Sequence, residues 1–299
     1  MPILEPDSWR QQYFENYLCP EDVIIPTQDI DAYHLFPEYN WVYNKLLVAE
    51  KQNLPCGPHG TLPPKDCKYP IFSKPIYNLR GMGACIQIFK DEEEYLNSMK
   101  PGHMWSKLLV GEHWSSDVAL VDGKLKWQCH TRGHALKDGT FDYWEIKENN
   151  FLNTRIQDFV EQLFSGYTGM MNLETIDGVI IEIHLRFADQ WPDLYGDWFV
   201  PSLVNLYANK EFTVGLSKGN GYSVVLFNEP RQYKKPAPEV IDNLKKQFLN
   251  VTSIQLTFDE HVPFNSYSNP PGGYSVAVIN GFDLNECKQL REKLFQIIC

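Results

Sequence analysis

Two of the chain's three Asp-Gly dipeptides, Asp122-Gly123 and Asp177-Gly178, each stand between runs of alternating apolar residues. Asp and Gly accept the positive φ that a two-residue hairpin turn demands, so each dipeptide predicts a tight antiparallel pair. A chain with two such hairpins must contain an antiparallel sheet, and its other segments must cover that sheet. Short apolar runs predict further strands over 22–26, 69–76, 85–89, 105–110, 222–227, 253–258 and 274–279. Helical periodicity predicts helices over 38–52, 90–99, 150–165, 199–208, 238–249 and 284–298. The five prolines between positions 54 and 70 mark a connector. The expected class is therefore α/β, organised as α+β lobes.

The second hairpin carries the strongest chemical signal. Glu174 lies on its first strand, and Glu182, His184 and Arg186 alternate along its second. Side chains two residues apart share a face, and the turn brings the two carboxylates within about one residue of directly opposite. Like charges so placed repel unless something positive lies between them, and a divalent cation held by oxygen ligands removes the conflict. The competing reading turns one carboxylate to solvent and pairs the other with Arg186. A second signal is Lys74, at the end of an apolar strand and before the glycine loop 79–83, where freed backbone amides can hold phosphate oxygens. That loop lacks the GxxxxGK[ST] pattern, and a solvated strand-edge lysine is the plainer reading. Lys45, inside the predicted helix 38–52, would by itself be an exposed helical lysine.

Charge and cysteine usage narrow the field. A net charge of −11 disfavours phosphate backbones and anionic lipid as partners, so neither nucleic acid nor membrane is expected. A nucleotide remains compatible, because a local basic pocket and a divalent cation reverse the field at one site. The seven cysteines are scattered, with no CxxC pair, which argues against a zinc ribbon or a disulfide framework. Cys129, His130 and His134 have the types of a zinc group but no evident fourth ligand, so the histidines are expected at strand ends near a phosphate site. The one GxSxG string, Gly215–Gly219, follows a predicted helix and precedes a predicted strand, the reverse of a nucleophile elbow, so it does not support serine hydrolysis. The first residues lack the apolar core of a signal peptide, and the expected compartment is the cytoplasm. In the tryptophan-rich stretch 190–198, Trp191 is expected to pack. Asp189, just before it, is expected to face the cleft.

Four segments occur in an order that resembles the ATP-grasp superfamily, in its biotin-carboxylase, carbamoyl-phosphate-synthase-like and purine-ligase branches. YNWVYNKLLVAEKQNLPCGP is similar to the segment supplying its first nucleotide-binding lysine. YPIFSKPIYNLRGMGACIQIFKDEEEYLNSM resembles the strand ending in Lys-Pro, the glycine loop and the acidic helix. MWSKLLVGEHWSSDVALVDGKLKW resembles the adenine-hinge strand, and LETIDGVIIEIHLRF the paired-acid hairpin ending in E-x-N-x-R. The tail 269–298 is similar, more loosely, to the family's C-terminal piece.

The resemblance implies an ATP-grasp fold with nucleotide between two α+β lobes, and an ATP-dependent, Mg2+- or Mn2+-dependent carboxylate–amine or carboxylate–thiol ligase acting through an acyl-phosphate. It implies small-molecule carboxylate and amine substrates and is compatible with a homodimer. By the same resemblance Lys45 and Lys74 contact the ATP phosphates, and Arg80, Gly81, Met82 and Gly83 fold over them. Lys107 and Leu109 meet adenine through backbone groups, beside Glu112 and His113. Glu174, Glu182 and His184 hold the metal, Arg186 steadies the acyl-phosphate, and Arg132 is a further phosphate contact. His184 replaces the usual Asn, and Ser106 and His113 fall where a hinge acid is expected. A phosphotransferase and a non-catalytic nucleotide-binding module are the alternatives on the same fold. The lobes implied are a short N-terminal lobe and connector (1–68), a small lobe (69–145), a central lobe with the metal hairpin (146–230) and a C-terminal extension (231–299).

Overall fold

The structure is a computed structural model that describes residues 3–79, 83, 85–136, 139–266 and 269–299. In chain order it begins with β1 (Ile3–Leu4), β2 (Ile25–Pro26), α1 (Asp29–Leu35), α2 (Lys45–Glu50) and β3 (Cys56–Pro58). Then follow β4 (Ile71–Pro75), β5 (Gln87–Phe89), α3 (Glu92–Asn97), β6 (His103–Lys107), β7 (His113–Val121), β8 (Lys124–Ala135) and β9 (Phe141–Ile146). The second half holds α4 (Asn150–Leu163), β10 (Gly169–Ile176), β11 (Val179–His184), α5 (Phe199–Asn209) and β12 (Tyr222–Asn228). It closes with α6 (Pro238–Gln247), β13 (Val251–Leu256), β14 (Tyr274–Gly281) and α7 (Leu284–Ile298).

An eight-stranded sheet in the order β11-β10-β7-β8-β9-β12-β14-β13 forms the body of the molecule, and its pairings are antiparallel. A four-stranded sheet in the order β3-β6-β4-β5 stands apart, with its own core of Ile71, Phe89, Tyr95 and Trp105. Both of these Asp-Gly dipeptides form the expected turns: φ is 48° and 76° at Asp122 and Gly123, and 49° and 75° at Asp177 and Gly178. Positive φ at both central positions matches the right-handed twist of the flanking strands.

Alternation sorts the large sheet's residues into two cores. Trp114, Val118, Leu120, Met171, Leu173 and Ile183 pack against Val48 of α2 and Leu152, Ile156, Phe159 and Val160 of α4. Burying each such apolar side chain contributes roughly 1.5–3 kcal/mol. Ala119 and Met170 turn the other way, in a core with Phe199, Leu203 and Leu206 of α5 and with Ile3, Phe14 and Ile25 of the N-terminal segment. Trp191 joins that core, 4% exposed, as expected.

Three expectations change. The helix predicted over 38–52 begins only at Lys45. Asn44 is extended (φ −84°, ψ 94°), its side chain accepts from Leu47 N, and a 3-10 turn precedes it. Asn competes with the helix by capping it, which a periodicity count does not register. Next, the sheets divide the chain otherwise than at residue 145: β7, β8 and β9 lie in the large sheet with β10 and β11. Finally Asp189, expected at the cleft, is buried and ion-paired to Arg10 at 2.5 Å.

Candidate functional site

The β10–β11 hairpin sets Glu174 directly opposite Glu182, with the register shifting between Glu174 and Thr175. Strand parity puts His113, Ser115 and Asp117 of β7, Asn172 and Glu174 of β10, and Glu182 and His184 of β11 on one face. That face is polar at the hairpin end. The small sheet and α2 approach it there: Lys74, closing β4, donates from Nζ to the Ile181 carbonyl at 2.8 Å. Lys45, opening α2, donates to Glu182 Oε1 at 2.5 Å.

Each acidic group divides its two oxygens. Glu182 gives Oε1 to Lys45, while Oε2 lies 3.9 Å from His184 Nε2. Glu174 gives Oε2 to His113 Nε2 at 3.0 Å, while Oε1 lies 3.6 Å from His184 Nε2. His113 is fixed edge-on against Phe141 and Trp144. Nε2 of His184 is buried and has no hydrogen-bond partner, although its ring is within reach of two carboxylates. Ligand atoms of Glu174, Glu182 and His184 all lie within 4.8 Å of one another.

Behind His184 stands Asp29, the first residue of α1, at 5% exposure. Its oxygens lie 3.0 and 2.9 Å from His184 Nδ1, and Arg186 Nε is 3.1 Å away. Tyr43 completes the surround: its hydroxyl donates to Asp29 Oδ1 and accepts from Leu185 N. Burial would raise the Asp29 carboxyl, but Arg186 and His184 outweigh it and hold it at about 2. Burial works against charge on His184 as well, yet Asp29 raises the imidazole to about 9 against the opposing Arg186. Glu174 also ionises against burial, because His113 and His184 hold it well below the usual range. Burial pulls Lys74 down to about 8, helped by Lys45 and resisted by Glu182 and Glu174.

The structure thus gathers Lys45, Lys74, Glu174, Glu182, His184, Arg186 and His113 at one end of the hairpin. Others fall elsewhere. Arg132 pairs with Trp114 across β7 and β8, one residue out of phase with Ser115, which pairs with Glu174. It therefore projects from the face opposite Glu174, where it binds Glu112 Oε1 at 2.7 Å, and not from the expected phosphate side. The N–H of Lys107 donates to the Pro55 carbonyl at 2.9 Å, and Leu109 lies between β6 and β7. His130 is bonded to Ser116 Oγ and Asn153 Oδ1, both at 2.8 Å, on the α4 side. His134 stacks on Tyr143 and meets Glu145. Neither histidine bonds to Lys45, Lys74, Glu174 or Glu182 in these contacts. Arg80, Gly81 and Met82 lie outside the described residues, and Gly83 has φ 60°.

Asp29 and Asp117 escaped the sequence reading. Asp117 accepts from Ala188 N at 2.9 Å and Tyr195 Oη at 2.7 Å, which pins the segment that follows Arg186. The only local hint of Asp29 is its place in the acidic first turn of a short helix, since its partner lies 155 residues away.

No protein-family model and no curated protein sequence matches the chain. Solved structures do. An L-amino acid ligase from Bacillus licheniformis superposes with a TM-score of 0.64 at 13% identity, covering 97% of this chain and 82% of that one. Phosphoribosylamine–glycine ligase from Thermotoga maritima gives 0.62 at 13% identity, covering 97% and 85%. An N5-carboxyaminoimidazole synthase from Aspergillus clavatus, in complex with ADP and 5-aminoimidazole ribonucleotide, gives 0.59 at 12%, covering 92% and 81%. The order of elements, the four- and eight-stranded sheets and these superpositions agree: the chain has the ATP-grasp fold.

Proposed function

We propose that the protein is an ADP-forming ligase that joins a small carboxylate to an amine, or to a thiol, through an acyl-phosphate. The observation that carries this reading is the convergence of Lys45 and Lys74 on the Glu174–Glu182 pair, where the small sheet meets the large one. The fold neighbours support it, being ligases by name. Two lysines beside two carboxylates suit a triphosphate accompanied by a divalent cation. The donor atoms fit such an ion: one free oxygen from each glutamate and one unpartnered imidazole nitrogen face a common centre. A cation bound there supplies neutralisation of the triphosphate charge.

The remaining work belongs to the chain. In the first step a carboxylate oxygen attacks the γ-phosphorus, the bond to the β–γ bridging oxygen breaks, and ADP leaves. In the second the nucleophile attacks the acyl carbon and inorganic phosphate leaves, the amine giving up a proton. Lys45 and Lys74 hold phosphate oxygens during the first step. Arg186, held by Asp29 through Nε and Nη2 and by the Phe187 carbonyl through Nη1, places its positive charge beside the acyl-phosphate. Small-molecule substrates and a cytoplasmic setting belong to the same proposal, and among the described residues no helix is long and apolar enough to cross a membrane.

Lys74→Ala and Glu182→Gln test the reading. Each is expected to lower ADP formation, assayed over a panel of carboxylates and amines, by at least about 100-fold with an unchanged circular dichroism spectrum. Wild-type turnover retained in either variant would remove the assignment, and mass spectrometry of the product separates a ligase from a kinase.

A further inference from the structure

The Glu174–Glu182–His184 cluster has a feature that oxygen-only coordination of a cation does not need. His184 is 5% exposed, its Nδ1 is held by both oxygens of Asp29, and its Nε2 faces Glu174 Oε1 and Glu182 Oε2 with no partner of its own. The outer atom of each of the three side chains is already held: Glu174 Oε2 by His113, Glu182 Oε1 by Lys45, His184 Nδ1 by Asp29. The three inner atoms converge. Their separations from Nε2, 3.6 and 3.9 Å, suit ligands of one ion, because ligands at about 2.1 Å from a common ion lie roughly 3–4 Å apart.

A carboxylate behind a histidine holds the proton on the nitrogen it faces, so a cation that displaces the proton of the other nitrogen takes that nitrogen as its ligand. Imidazole nitrogen favours first-row transition ions over Mg2+, which prefers oxygen and gives up its water reluctantly. We infer that Glu174, Glu182 and His184 Nε2 form a two-oxygen, one-nitrogen site selective for a first-row transition cation over Mg2+, with Asp29 as the positioning residue. The inference rests on the cation-binding part of the proposed function, and its test needs no turnover.

The probe is Mn2+ added to the full chain, with and without a non-hydrolysable ATP analogue. Pulsed electron paramagnetic resonance is expected to show coupling of the manganese to one imidazole 14N. Calorimetry is expected to show Mn2+ binding at least about tenfold tighter than Mg2+. His184→Asn, close in shape, should remove the coupling and bring the two ions within a few-fold of each other. Asp29→Asn should weaken Mn2+ by about 10- to 100-fold while the 14N coupling persists, a split that a purely structural role would not produce. Absence of 14N coupling in the wild type, equal affinity for Mg2+, or no bound Mn2+ would overturn the inference. Nucleotide binding, followed separately with a fluorescent ATP analogue, shows whether the ligase reading fails with it or survives.

Discussion

Asp117 illustrates how one buried charge positions the chemistry without touching it. Its oxygens accept from the Ala188 amide, the Tyr195 hydroxyl and Asn172 Nδ2, so the backbone just beyond Arg186 cannot drift. Burial raises this carboxyl to about 6, and the bonds from Tyr195 and Asn172 offset only part of the effect. A raised acid binds its proton more tightly in the folded chain than in the unfolded one between the ordinary value of 3.8 and about 6. Stability contributed by this residue is therefore highest below about pH 4 and falls as pH rises toward 6, by roughly 3 kcal/mol in all. Urea unfolding of wild type and Asp117→Asn at several pH values between 4 and 7 is expected to show their difference changing in that direction. A difference independent of pH would contradict the account.

Among the elements, the β10–β11 hairpin was the most legible, because its determinants are local. Asp177-Gly178 dictates the turn, whose register alone would set Glu174 opposite Ile181, and the shift between Glu174 and Thr175 moves it by one residue to face Glu182. Gly178 has φ 75°, and a side chain there would collide with the Phe151 ring. Gly178→Ala is expected to lower unfolding free energy by about 1–3 kcal/mol in urea titrations and to weaken cation binding alongside. An unchanged midpoint would show that the turn does not need glycine. Arg132 was misplaced for the reason the hairpin was not: its face depends on register across β7, β8 and β10, which no local pattern declares. The extent of the large sheet was hidden likewise, since pairing of β9 with β12 joins segments about 80 residues apart. Asp29 shows the limit most clearly. A short acidic helix start reads as a cap, and only the fold carries it to His184.

At the scale of the molecule, a chain of net charge −11 concentrates Lys45, Lys74 and Arg186 where the four-stranded and eight-stranded sheets meet. The polar contact from Lys74 to Ile181 ties the small sheet to the edge of the large one. In an otherwise acidic surface this is where an anion gains by binding, provided a cation shares the paired glutamates. Calorimetric titration of a non-hydrolysable ATP analogue with Mn2+ into the wild-type chain and into a Glu174→Gln, Glu182→Gln variant tests this most directly. The account predicts saturable one-site binding in the wild type that requires the divalent ion and weakens at least about 100-fold in the variant; no binding in the wild type, or equal binding in both, would contradict it.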